Sequence, residues 1–285
     1  MRMPMSNAAL TPAHKAHVLA EALPYIKRFH GQTVVIKVGG NAIEHARDET
    51  LLDVVLLRYV GMQPVLVHGG GPEITAMSER LGLKAEFKNG LRITDDKTME
   101  VVKMVLTGKV SPDLVAAIHR LGGQAVGMSG EDGPTIIAEP LDESMGYVGR
   151  VTQVNKEPIT ALLSRGYIPV IASIGLGYDG HAYNINADTV AAEIAVALGA
   201  AKVILLTDVP GVQGVDGEVV AVLSKDDARQ RIEKGEVTGG MIPKLEACLR
   251  ALDGVPLAHI VDGRTKHALL LELFTEAGIG TMVTP

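Results

Sequence analysis

One run of β-branched residues, broken by a lysine and closed by two glycines, constrains this chain more than any other stretch. Residues 33–41 read Thr-Val-Val-Ile-Lys-Val-Gly-Gly-Asn. Val34, Val35, Ile36 and Val38 suit a strand buried on both faces, and Lys37 interrupts it immediately before the glycines. Gly39 and Gly40 let the backbone turn sharply and approach a ligand with no Cβ in the way, while Lys37 offers a compact positive charge beside them. The stretch reads as an anion site, most naturally for phosphate, at the carboxyl end of a first parallel strand. A strand-end lysine reaching solvent reads equally well from these residues alone.

A second strand, glycine loop and helix follow. Residues 64–67 form a strand running into His68-Gly69-Gly70-Gly71-Pro72, and a helix covers 73–81. Glycine weakens strands and helices alike, so three in a row mark backbone amides exposed for contact, whereas a plain tight turn needs only one or two. Pro72 fits the first helical position, which turns the Gly70 and Gly71 amides outward near a helix N-terminus. Asn89-Gly90 signals a hairpin over the mouth of the site, with Arg92 just beyond it. Arginine suits bidentate capture of a carboxylate, although an exposed hairpin arginine is the plainer alternative.

The rest of the chain alternates. Helical spacing covers 11–29, with Thr11 and Pro12 as N-cap and first helical residue and Pro24 expected to kink or interrupt it. This helix either covers the domain or exchanges with another subunit. Helices are predicted at 47–59, 96–106, 112–121 and 158–165, strands at 124–127 and 167–172, and a hairpin region in the polar segment 130–150. After the glycine-dense 175–180, Asn184 and Asn186 precede a helix at 187–198 and Asp188 falls in its first turn. Capping explains one asparagine, and the helix dipole favours the aspartate. Both together are more than capping requires. A strand at 202–207 leads to Asp208 and Gly211, then come a turn at Asp216-Gly217 and a helix at 225–234. Thr238 and two glycines open a further helix in which Lys244 sits near the N-terminus, a mildly unfavourable place for a cation without a negative partner. A strand at 258–261, a helix at 266–275 and an edge strand at 280–283 finish the chain.

This alternation predicts a doubly wound α/β fold, a three-layer sandwich around a mainly parallel central sheet. Ligands of such sheets bind outside the carboxyl ends of the strands, so Lys37, Gly40, Gly70, Gly71, Asp188 and Lys244 can meet in one cleft although far apart in sequence. With 285 residues there is room for one large domain or two lobes. A net charge of −6 without a basic run argues against a nucleic-acid binder. The single cysteine, Cys248, allows no intrachain disulfide, and a reducing cytoplasm is the simplest home. Residues 1–10 lack the apolar core of a targeting segment, and the most apolar stretch, 187–206, is broken by Asp188, Glu193, Gly199 and Lys202, so no membrane association is expected. There is no Gly-x-Gly-x-x-Gly after a strand, no phosphate loop of the Gly-Lys-Ser/Thr type, no Cys/His metal constellation and no Gly-x-Ser-x-Gly elbow.

Five motifs together, Ile36-Lys37-Val38-Gly39-Gly40, Val67-His68-Gly69-Gly70-Gly71-Pro72, Asn89-Gly90-Leu91-Arg92, Asn184-Ile185-Asn186-Ala187-Asp188 and Gly239-Gly240-Met241-Ile242-Pro243-Lys244, resemble the acetylglutamate kinase branch of the amino-acid kinase family. The resemblance runs through the chain in order. It implies ATP-dependent phosphorylation of the side-chain carboxylate of N-acetyl-L-glutamate, the second step of arginine synthesis. Carried over residue by residue, Lys37 and Lys244 become the transition-state lysines, Asp188 their organiser through ion pairs that keep them protonated, and Gly40, Gly70 and Gly71 the amides around phosphoryl group and substrate. Arg92 would take the α-carboxylate and Asn184 the acetamido group. Thr207, Asp208, Gly211, Val237 and Thr238 would meet the nucleotide, with Mg²⁺ on its phosphates and no protein metal ligand assigned. The same resemblance implies an N-terminal helix at 1–30 for oligomerisation and regulation, a substrate lobe at 31–199 and a nucleotide lobe at 200–285. It further implies arginine inhibition between that helix and residues 267–280, and a homodimer assembling into a trimer of dimers.

Overall fold

The computed structural model describes residues 11–39, 41–88, 90–214, 216–275 and 278–285. Gly40 and Asn89, both singled out above, lie outside the described residues, as does the segment 1–10. In chain order the first elements are α1 (Pro12–Phe29), β1 (Thr33–Val38), α2 (Asn41–Tyr59), β2 (Gln63–His68), α3 (Gly71–Arg80), β3 (Phe87–Lys88) and β4 (Leu91–Arg92). After α4 (Asp96–Val105) a π-helical turn, Leu106–Val110, leads into α5 (Ser111–Arg120). Then come β5 (Ala125–Ser129), β6 (Ile136–Pro140), β7 (Gly149–Val154), α6 (Glu157–Ser164), β8 (Ile168–Ala172), β9 (Ile174–Gly177), β10 (Ala182–Asn184) and α7 (Ala187–Leu198). The chain ends with β11 (Lys202–Thr207), β12 (Val222–Ser224), α8 (Lys225–Glu233), α9 (Met241–Ala251), β13 (Ala258–Asp262), α10 (Ala268–Phe274) and β14 (Thr281–Thr284).

The main sheet has the order β12-β14-β13-β11-β1-β2-β8-β5, parallel from β13 through β5. β14 runs antiparallel to β13 and is flanked on its other side by β12, so the predicted edge strand at 280–283 is interior and β12 takes the edge. Strand alternation divides the core in two. Val34, Ile36 and Val38 pack with α2, α5 and α10 on one side. Val35 joins Val203, Leu205 and helices α6, α7, α8 and α9 on the other. Lys37 therefore projects toward the α7 and α9 layer, the same side as Val35. A smaller four-stranded sheet, β10-β9-β6-β7, and the hairpin β3-β4 stand apart from the main sheet.

Thr11 caps α1, accepting from the His14 amide at 3.3 Å, and Pro24 sits inside a helix that continues through it to Phe29. Of the two expected outcomes at Pro24, a kink or an interruption, the interruption does not occur. Among the apolar residues of α1, Val18, Leu19 and Leu23 stay exposed, at 53, 72 and 47%, while Phe29 enters the core.

Candidate active site

The two lysines predicted to converge do so on one carboxylate. Lys37 Nζ lies 3.0 Å from Asp188 Oδ1, and Lys244 Nζ donates to Asp188 Oδ2 at 2.8 Å. Each comes from a different element. Lys37 leaves β1 toward the α7 layer, Asp188 stands in the first turn of α7, and Lys244 stands in the first turn of α9. Asp188 is the negative partner that a lysine at a helix N-terminus calls for, and the α7 dipole adds to its stabilisation. Asn186 caps α7 by accepting from the amides of Asp188 at 2.8 Å and Thr189 at 3.4 Å. Of the two asparagines, this one is spent on the helix.

Burial, countered by the two ammonium groups, leaves the Asp188 carboxyl below the usual carboxylate range. For Lys37 burial prevails over the attraction of Asp188, and its amine falls below the ordinary lysine value. The expected ion pair with Asp188 does favour the protonated amine, but burial and the charge of Lys244 pull the other way. An incoming anion adds charge of the helpful sign. Gly39 lets the Lys37 chain fold back over the turn, since a Cβ there would stand 3.1 Å from both Cε and Nζ of Lys37.

The second glycine loop follows β2, the neighbour of β1. His68 is fully buried, its pKa lowered to about 4 by burial, and its Nδ1 lies 3.0 Å from the Gly69 carbonyl oxygen, so the neutral ring donates there. Gly70 is demanded by packing as well as by any ligand. A Cβ on it would come within 2.7 Å of Leu106 and 3.1 Å of Val110, both on the π-helical turn. Its backbone is extended, with φ 179°, so strain plays no part. Gly71, by contrast, faces open space.

Arg92 is buried at 8% exposure beside this loop. Its Nη2 donates to the Gly71 carbonyl at 3.1 Å and to Thr75 Oγ1 at 2.7 Å, and its guanidinium lies 4.8 Å from the Phe87 ring centre. Nη1 is buried with no acceptor among the described residues. A buried guanidinium with one unpartnered nitrogen has hydrogen-bonding capacity left over for an anionic oxygen, and the exposed-hairpin alternative fails. Asn184, at the end of β10, donates from Nδ2 to Thr94 Oγ1 at 3.1 Å, and Thr94 Oγ1 donates to the Arg92 carbonyl at 2.8 Å. Arg92 and Asn184 are therefore joined through one hydroxyl, a link that sequence reasoning missed because Thr94 is an ordinary strand-end residue in the sequence.

Thr207 ends β11 and Asp208 follows it, and Leu205 of the same strand is in register with Lys37. Asp208 is close enough to contribute to the Lys37 field. Gly211, at φ 154°, has backbone geometry that favours glycine, and a Cβ there would meet Thr281 Oγ1 at 2.7 Å. Val237 is a core residue, 5% exposed, so only its backbone can face a ligand, whereas Thr238 is exposed just ahead of α9. No group of three or more His, Cys, Asp or Glu residues arranged to hold a metal occurs among the described residues. No described helix is long and apolar enough to cross a membrane.

A separate cleft of about 1290 Å³ lies between α1 and the end of the chain, lined by Tyr25, Arg28, Lys202, His259, Glu272 and Gly280 among others. Within it Glu272 Oε1 lies 3.0 Å from Lys202 Nζ and 2.6 Å from His259 Nδ1, all three nearly fully buried. A signal was present in the sequence, because Lys202 opens an apolar strand as anomalously as Lys37 interrupts one.

Residues 32–262 match the Amino acid kinase family. The acetylglutamate kinase of Caldanaerobacter subterraneus subsp. tengcongensis is 52% identical over 277 residues, covering 94% of this chain and 93% of that one. That of Nostoc sp. is 52% identical over 278 residues, covering 95% and 94%. Among solved structures, an N-acetylglutamate synthase from Neisseria gonorrhoeae complexed with coenzyme A and N-acetyl-glutamate superposes with a TM-score of 0.83 at 26% identity, covering 95% of this chain and 63% of that longer one. A carbamate kinase from Giardia lamblia bound to AMP-PNP, at 17% identity and a TM-score of 0.67, shares the fold, covering 89% of this chain and 98% of its own. Fold, motif order and near-full-length identity agree: this chain is a kinase and belongs to the amino acid kinase family, among the acetylglutamate kinases.

Proposed function

We propose that this enzyme transfers the γ-phosphoryl group of ATP to the side-chain carboxylate of N-acetyl-L-glutamate, giving an acyl phosphate and ADP. The observation that carries the reading is the single carboxylate of Asp188 holding two amines, Lys37 at 3.0 Å and Lys244 at 2.8 Å, at the mouth of the glycine loops. The transfer forms a bond from a carboxylate oxygen to phosphorus and breaks the bond from phosphorus to the bridging oxygen of ADP. Two anions must approach, so the protein's contribution is positioning and neutralisation. No general base is required, because the attacking carboxylate is ionised at neutral pH.

Lys37 and Lys244 flank the moving group, and the amides of Gly70, Gly71 and Gly40 hold its oxygens and those of the substrate. Arg92 takes the α-carboxylate with its unpartnered Nη1, and Asn184 takes the acetamido group. The 31–199 portion then binds the acceptor and the 200–285 portion the nucleotide, through Thr207, Asp208, Gly211, Thr238 and the Val237 backbone. Mg²⁺ would accompany the nucleotide and supply charge neutralisation at its phosphates, with no protein ligand assigned to it. The test is ADP release with N-acetyl-L-glutamate as acceptor, against carbamate and unacylated glutamate as controls. ADP formed only with the controls would overturn the reading.

Arg92→Ala is expected to raise the KM for N-acetyl-L-glutamate by about tenfold or more while the ATP KM stays near its starting value, since a charge-assisted hydrogen bond is lost on one substrate only. A rise confined to ATP would contradict the assignment.

The second cleft supports feedback inhibition by arginine, as part of arginine biosynthesis in the cytoplasm. Its size admits an amino acid, α1 forms one wall and residues of the 267–280 segment form another. The exposed Val18, Leu19 and Leu23 on α1 support an interlaced partner helix that joins dimers into a ring. Removing residues 1–27, which spares the core residue Phe29, is expected to abolish arginine inhibition and reduce the assembly to dimers. Sedimentation and ADP release with and without arginine read both outcomes, and a truncated protein that remains a ring and arginine-sensitive refutes the proposal.

A further inference from the structure

Thr94 is fully buried, and each of its polar groups is engaged. Its amide donates to the Met145 carbonyl at 3.1 Å, and its carbonyl accepts from the Tyr147 amide at 2.7 Å. Its hydroxyl donates to the Arg92 carbonyl at 2.8 Å and accepts from Asn184 Nδ2 at 3.1 Å. The Tyr147 carbonyl in turn accepts from the Asn184 backbone N–H at 2.8 Å, closing a ring of contacts around the strand ends that carry Arg92 and Asn184. Gly146 makes the close approach possible, since a Cβ there would stand 2.3 Å from the Thr94 carbonyl oxygen.

A hydroxyl has one hydrogen. Because the Thr94 hydrogen goes to the Arg92 carbonyl, its oxygen can only accept from Asn184, and that fixes which way round the Asn184 amide stands. Nδ2 faces Thr94, so Oδ1 is the end of the amide turned away from it.

We propose that Thr94 is a positioning residue of the acceptor pocket, holding Asn184 with its carbonyl oxygen toward the ligand so that the pocket favours an α-substituent bearing an N–H donor, such as a secondary amide. The inference rests on the functional reading above and extends it from which residues bind to what orients them. Without the hydroxyl the amide can rotate, and Oδ1 loses its fixed aim while the lysines and nucleotide contacts are untouched.

The experiment measures ADP release by wild type, Thr94→Val, Thr94→Ser, Asn184→Ala and the Thr94→Val/Asn184→Ala double variant, varying N-acetyl-L-glutamate and ATP separately. Wild-type activity with N-acetyl-L-glutamate is the control for the functional reading, and its absence would sink that reading rather than the role of Thr94. With that control met, Thr94→Val is expected to raise the N-acetyl-L-glutamate KM by about tenfold, the scale of one net hydrogen bond, with kcat and the ATP KM within about twofold of wild type. Thr94→Ser should restore the KM. The double variant should be no worse than Asn184→Ala, because the two residues act as one unit. An unchanged KM in Thr94→Val, additive losses in the double variant, or a Thr94→Ser protein with a KM as poor as the valine variant would each overturn the proposal. If the valine variant is too unstable to assay, the serine variant decides alone: a wild-type KM supports the proposal and a raised one refutes it.

Discussion

Lys37→Ala and Lys244→Ala are each expected to lower kcat by about 10²–10³-fold, the scale set by losing one preorganised donor to a developing anion. The two amines reach the same carboxylate on different oxygens, and in the proposed reaction each neutralises charge on the transferring phosphoryl group. Removing either leaves the other to neutralise charge that grows as the acceptor carboxylate closes on phosphorus. The KM values should change far less than kcat, because the interaction lost is made chiefly in the transition state. Arginine in place of Lys37 should not restore turnover, since a planar fork cannot occupy the fold of chain held over Gly39. Steady-state ADP release for the three variants checks this, and near-normal turnover in either alanine variant refutes the assignment.

The second large effect is expected at Asp188. Asp188→Asn removes the charge that lets two ammonium groups share a buried space, and breaking a buried ion pair from one side costs about 3–5 kcal/mol. An asparagine can accept from one lysine but presents an NH₂ group to the other. Two penalties should appear together: a fall in Tm on the order of 10 °C, and a kcat at least as low as in the single lysine variants. The pH dependence fixes the cause. The Asp188 carboxyl lies below its ordinary value, so its stabilisation is in place above the unfolded pKa of about 3.9 and is lost as pH falls through the lower folded value. The gap in Tm between wild type and Asp188→Asn should hold steady between about pH 5 and 8 and narrow under more acid conditions. Differential scanning calorimetry reads it directly, and a gap independent of pH down to full acid unfolding would show that the carboxylate charge is not what Asp188 supplies.

Much of this site was legible because the chemistry required residues that the fold would not choose. A lysine inside a β-branched run, three glycines between strand and helix, and a lysine at a helix N-terminus each contradict local propensity. The structure places Lys37 and Lys244 on one aspartate. Helix 187–198 and strand 202–207 have their predicted bounds because a capping asparagine, a glycine and an unbroken apolar run mark their ends. Other elements were hidden for equally physical reasons. β9 carries Gly175 and Gly177, which read as loop, yet a Cβ on Gly175 would come within 2.7 Å of Ile185 and 2.8 Å of Ala138, so glycine there serves close packing in a sheet. The π-helical turn at Leu106–Val110 leaves no mark on apolar spacing. β14 looks like a terminal edge strand until β12, too short to read in sequence, covers it. The Thr94 link could not be found from sequence at all, because it consists of two hydrogen bonds to residues that are respectively near and far along the chain.

The central claim is that the two amines gathered by Asp188 stabilise the phosphoryl group in flight. The most direct measurement is the affinity of wild type, Lys37→Ala and Lys244→Ala for a transition-state mimic, ADP with aluminium fluoride and N-acetyl-L-glutamate, set beside their affinity for ADP alone. Mimic affinity should fall in step with kcat, by about 10²–10³-fold, while ADP affinity stays nearly constant. Variants that lose turnover but bind the mimic as tightly as wild type would contradict the account.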